Sequence, residues 1–170
     1  QPGAAQSGGG RGGSRVGERI AHYEIVAHLG AGGMGEVYSA GPDRTPRTVI
    51  EGRGGITTHA RVSPDGRWVA YANGDDGPFQ IWLQNYPTAS GRWQVSTTGG
   101  IQPKWRRDGK ELFYLSIDGR LMAVPVTLGA LPEIGKAQPL FETKIESVTG
   151  FTWHQYDVSR DGQRFLVNTP

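Results

Sequence analysis

The chain has 170 residues and a mass of 18.4 kDa, which suits one domain of ordinary size and leaves little room for two. Its 27 glycines and 11 prolines are roughly double average usage and favour turns over long helices. Eighteen Lys and Arg against sixteen Asp and Glu leave a net charge of +2 and no basic block, which argues against a dedicated nucleic-acid binder, and the lack of cysteine excludes disulfides, thiolate nucleophiles and Cys-ligated metal. The longest mainly apolar stretch, residues 121–126, is far short of the ~18 residues of a membrane span, and there is no apolar signal-peptide core near Gln1.

Residues 1–15, QPGAAQSGGGRGGSR, contain nothing large and apolar that would offset the entropy of ordering, and predict a disordered Gly-rich linker. Over residues 16–40 a short apolar pattern (Tyr23, Ile25, Val26, Leu29) meets a glycine cluster and resumes at Val37 and Tyr38, which predicts strand, glycine turn, strand. Residues 41–58 are polar around Thr48-Val49-Ile50, a candidate outer strand of a preceding sheet with its connector.

From His59 onward the sequence repeats: RVSPDGRWVAY from Arg61, KWRRDGKELFY from Lys104 and DVSRDGQRFLV from Asp157. Each segment predicts a hairpin turning at an Asp-Gly pair, Asp65-Gly66, Asp108-Gly109 and Asp161-Gly162, because both residue types accept the positive φ of a tight turn. Asp118-Gly119 adds a hairpin inside the second unit, joining residues 112–115 to 121–126. Further strands are expected at residues 80–85, 92–96 and 138–141, giving four per unit. A period of about 40 to 50 residues with four strands per repeat is the pattern of a β-propeller, so the expected fold is all-β: an incomplete propeller of about two to two and a half antiparallel blades. The units are residues 59–98, 99–146 and, as a first hairpin only, 147–170. Too few blades to close a ring leave open edges, which predicts self-association or a truncated parent.

These segments resemble the TolB-type propeller repeats of bacterial proteins, over roughly residues 41–170. A second resemblance lies upstream. LGAGGMGEVY, residues 29–38, fits G-x-G-x-x-G-x-V, and with RIAHYEIVAHL before it resembles the start of a bacterial, eukaryotic-like serine/threonine protein kinase. The resemblance implies an ATP site at Leu29, Gly30, Ala31, Gly32, Gly33, Met34, Gly35 and Val37, where glycines let backbone N–H groups approach the phosphates. The other kinase parts do not follow. The first lysine is Lys104, and there is no His-Arg-Asp loop, Asp-Phe-Gly or Ala-Pro-Glu. The expectation is therefore no catalysis by this chain, with ATP and magnesium relevant only to an intact parent whose catalytic domain is missing between Ala40 and Gly41. Such a parent would carry the propeller as a sensor; for the chain itself a cytoplasmic location is the working expectation.

His22, His28, His59 and His154 show no metal-site spacing, and His154 with Asp157 supplies too few ligands for a cation. Ser63 and Ser159 precede the repeated turns and are expected to bond the backbone rather than to serve a hydrolase. Asp65, Asp108, Asp118 and Asp161 read as turn formers, the five tryptophans mostly as packing between blades, and the Arg106, Arg107 and Lys110 cluster as too interrupted for nucleic acid. The function these features favour is a non-catalytic module that recognises a protein or small ligand of unspecified identity. Limited proteolysis is expected to cut residues 1–15 before it cuts within residues 112–115.

Overall fold

The computed structural model describes residues 50, 56–75, 77–88, 90–145 and 153–168, together with four two-residue strands between residues 19 and 36. Every regular element among the described residues is a strand, all pairings are antiparallel, and none of the sheets closes on itself. The expected linker over residues 1–15 lies outside the described residues, as do Thr48 and Val49 of the expected outer strand. Among the described residues no helix is long and apolar enough to cross a membrane.

In the upstream segment β1 (Arg19–Ile20) pairs with β2 (Tyr23–Glu24), and β3 (Ala31–Gly32) with β4 (Gly35–Glu36). The first main sheet is a four-stranded meander of β5 (Thr57–Val62), β6 (Trp68–Asn73), β7 (Gln80–Asn85) and β8 (Arg92–Gln94), in chain order. The second repeats that plan with β9 (Ile101–Trp105), β10 (Glu111–Leu115) and β11 (Arg120–Thr127). The far edge of β11 is shared by the short β12 (Glu133–Ile134) and by β13 (Gln138–Glu142). The last hairpin is β14 (Tyr156–Val158) with β15 (Phe165–Val167).

The central strands carry continuous apolar runs, Trp68 to Ala72 on β6 and Leu112 to Leu115 on β10, as required of strands covered on both faces. On β6, Trp68, Ala70 and Ala72 join the main core, while Val69 and Tyr71 face the opposite way with Ile50, flanked by Trp82 and Tyr86. The main core continues through Ile81, Leu83, Ile101 and Leu112 to Leu115, and reaches Tyr156 of the last hairpin. The second sheet is thus covered on both sides. Tyr114 lies towards Ile81, with Gly100 between them, and Phe113 meets Phe165 edge to face at 5.1 Å. Trp105 Nε1 donates to the Arg61 carbonyl (3.1 Å), tying β9 to β5.

The tryptophans divide: Trp68 is buried, Trp82, Trp93 and Trp105 are half-buried, and Trp153 is 93% exposed. For Trp153 the expectation of packing fails: it precedes β14, and among the described residues no strand covers it.

Gly100 has no room for a side chain. A Cβ there would lie 2.7 Å from the Tyr114 ring and 3.0 Å from Ile81. Gly100→Ala is expected to destabilise the fold by about 1–3 kcal/mol, read as a lower urea midpoint at unchanged slope.

Candidate functional site

The four Asp-Gly turns share one construction. Gly66, Gly109, Gly119 and Gly162 take φ of 73°, 71°, 81° and 73°, and each glycine N–H donates to the carbonyl three residues back. The aspartates do not take positive φ, contrary to the reason expected for them; they act through their carboxylates. Asp65 Oδ1 accepts from Ser63 Oγ (2.5 Å) and from Arg67 N (3.1 Å), and Asp161 Oδ1 accepts from Ser159 Oγ (2.5 Å) and Gln163 N (3.0 Å). Ser116 and Asp118 form the same contact. Ser63 and Ser159 also accept backbone N–H bonds, from Trp68 and Arg164, both at 3.0 Å. In the second unit Arg106 replaces the serine and grips Asp108 through Nε (2.8 Å) and Nη2 (2.9 Å), with Nη1 on Glu111 (3.0 Å).

The turns of the first two units face each other across a cleft of about 580 Å³ lined by Asp65, Arg67, Asp108, Gly109, Lys110 and residues 125–128. Its charges are largely spent, since Arg67 pairs with Asp65 and Arg106 with Asp108. The 161–162 turn sits on Arg106, where a Cβ on Gly162 would lie 2.5 Å from Arg106 Cδ; the 118–119 turn is held instead by Thr143 N on the Gly119 carbonyl (2.8 Å). Of the glycine-loop residues, Ala31 and Gly32 pair with Glu36 and Gly35, while Leu29, Gly30, Gly33, Met34 and Val37 lie outside the described residues.

A different group converges where β5, β9 and β14 meet. Counting back from the turn aspartates, His59, Gln102 and Gln155 occupy one repeat position and Arg61, Lys104 and Asp157 another. His59 and Gln102 both sit at φ 56°, within register shifts that bend β5 and β9. Bent in this way, Gln102 clamps the last hairpin: its Oε1 accepts from Gln155 N (2.8 Å) and its Nε2 donates to the Trp153 carbonyl (3.0 Å). Tyr156 Oη donates to the Gln102 carbonyl (2.8 Å).

Around this clamp, Lys104 Nζ pairs with Asp157 Oδ1 (2.9 Å) and Arg61 Nη2 donates to His154 Nε2. His59 and His154 rings lie 5.0 Å apart, edge to face. A recess of about 230 Å³ opens beside them, lined by Lys104, His154, Gln155, Tyr156, Asp157, Leu166 and Asn168. Burial, then the positive charge of Arg61 and the proximity of His59 and Lys104, hold His154 down at about 4 against a weaker upward pull from Asp157. The Lys104 hydrogen bond lowers Asp157. Asp108, gripped first by Arg106 and then by Lys110 N–H, is held at about 2.

Sequence reasoning treated these histidines as scattered and missed Arg61 and Lys104. Aligning the three repeats on their turn aspartates places Arg61, Lys104 and Asp157 in one column, the signal that was there to be used. Among the described residues no three His, Cys, Asp or Glu are grouped to hold a metal ion. No protein-family model matches the chain, and no curated protein matches it.

Because His154 titrates near 6.5 when unfolded and at about 4 when folded, the unfolded chain binds the extra proton between those values. Stability is full above pH 6.5 and declines as pH falls towards 4; the lowered carboxylates extend the decline below the ordinary value of 3.8, to about 2 for Asp108. Thermal melts across this range are expected to show both phases, with His154→Asn removing the upper one.

Proposed function

We propose that the chain is a non-catalytic recognition module built on TolB-like propeller blades. The observation that carries this reading is the repetition itself: two successive antiparallel sheets of four and five strands, each with an Asp-Gly turn at the same place between its first two strands, sharing one apolar core with a third hairpin. Face-to-face stacking of small twisted sheets is how propellers bury apolar strands, and it leaves the inner strands and turn loops free to meet a partner. The inner strands here bring together charged and polar side chains from all three units. The open hairpin, with Leu166 75% exposed, offers a surface for self-association.

A second reading comes from a separate feature. The antiparallel pairing of Ala31–Gly32 with Gly35–Glu36 suits a glycine-rich phosphate loop, and on that reading the chain is the remnant of a serine/threonine kinase with a sensory propeller. The missing phosphate-pairing lysine and metal-binding aspartate weigh against nucleotide binding.

Calorimetry with ATP, with and without magnesium, separates the two. No binding heat is expected from the full chain. Micromolar binding abolished by Gly32→Asp would overturn the module reading in favour of the kinase remnant.

A further inference from the structure

We infer that the junction of the three inner strands is a receptor for a carboxylate group, taken up in the recess beside His154 by the joint pull of Arg61 and Lys104. This deepens the recognition reading by naming a ligand chemistry, and it rests on that reading.

Charge balance is the first ground. Arg61 and Lys104 bring two positive charges, Asp157 brings one negative, and His59 and His154 complete the set of groups that act on one another there. Asp157 is committed to Lys104 and to Val158 N–H through the same oxygen. Among the described residues the Arg61 guanidinium bonds only to the Ala60 carbonyl and to His154, so its charge meets no carboxylate. One uncompensated cation in a partly buried site is matched by a monoanion, and a guanidinium prefers a planar oxyanion such as carboxylate.

Proton placement is the second. Because Nε2 of His154 accepts from Arg61, the neutral ring carries its proton on Nδ1. That Nδ1 is buried and has no hydrogen-bond partner, a donor left unpaired in a fold that otherwise satisfies the polar groups of the junction. The third ground is space. The recess lies against His154 and Lys104, and its wall of Tyr156 and Leu166 suits an apolar group carried by the acid.

The source of the carboxylate is either a small organic acid or the C-terminus of a peptide. Formate and N-acetylglycine represent the two, with N-acetylglycinamide as the uncharged control. The His154 imidazole signal is followed by NMR on the full chain at low salt over pH 5–7, where α-carboxylates are ionised. An anion beside His154 favours its charged form, so saturable binding with the midpoint raised from about 4 to above 5 is expected. The tighter of the two acids names the source. Arg61→Gln is expected to weaken binding about tenfold or more. Lys104→Gln leaves the Arg61–His154 contact in place, is expected to weaken binding as well, and keeps the test decisive if Arg61→Gln loses the fold. The inference is overturned if neither acid moves His154, if the amide moves it equally, or if both variants bind as the parent chain does. The readout is blind to ATP, so this site and the module reading fail separately.

Discussion

Strand β10 is buried from Leu112 to Leu115, and a strand apolar on both faces needs two covers. One is the first sheet, reached through Tyr114 and Ile81; the other is the last hairpin, reached through Phe113 and Phe165. Each large side chain taken from water contributes roughly 1.5–3 kcal/mol, so the apolar sandwich outweighs any polar contact in the molecule. The register of β9 and the position of the 161–162 turn follow from it, since both must fit against a sheet whose faces are already committed.

Polar chemistry then decides how the layers are joined. The turns at Asp65, Asp108 and Asp161 use a carboxylate to hold one backbone N–H and a hydroxyl or guanidinium to brace it, an arrangement that tolerates Arg106 where the other two have serine. Arg106 does more than brace, because its stem lies under Gly162 and links two units. The Gln102 clamp works between units alone. Its amide satisfies both a donor and an acceptor on the next hairpin, which a hydroxyl could not span. By contrast the Lys104–Asp157 pair, with Asp157 largely exposed, is worth ~0–1 kcal/mol. Its importance is electrostatic placement, not stability.

The same junction holds a buried donor without a partner. A guanidinium without a carboxylate and a buried imidazole N–H without an acceptor lie next to each other, while in the turn cleft of about 580 Å³ both aspartates are paired with arginines. Larger space is therefore not the better site.

The all-β class, the strands at 80–85 and 112–115 and the glycines of the turns were legible from short apolar runs bounded by turn residues and from Asp-Gly spacing, because both are local: a buried strand is a short apolar run and a tight turn needs a residue that accepts positive φ. The role of the turn aspartates was half legible, since composition marks the turn but not whether φ or the carboxylate does the work. Sequence alone also showed the repeat, and with it the column holding Arg61, Lys104 and Asp157. Which members of that column would pair, that Gln102 would reach across to the next hairpin, that Trp153 would stay exposed and that His59 would meet His154 were decided only by tertiary structure. Those contacts depend on how far each sheet is rotated and displaced against the next, a distance set by the packing of whole faces and written in no single segment of the chain.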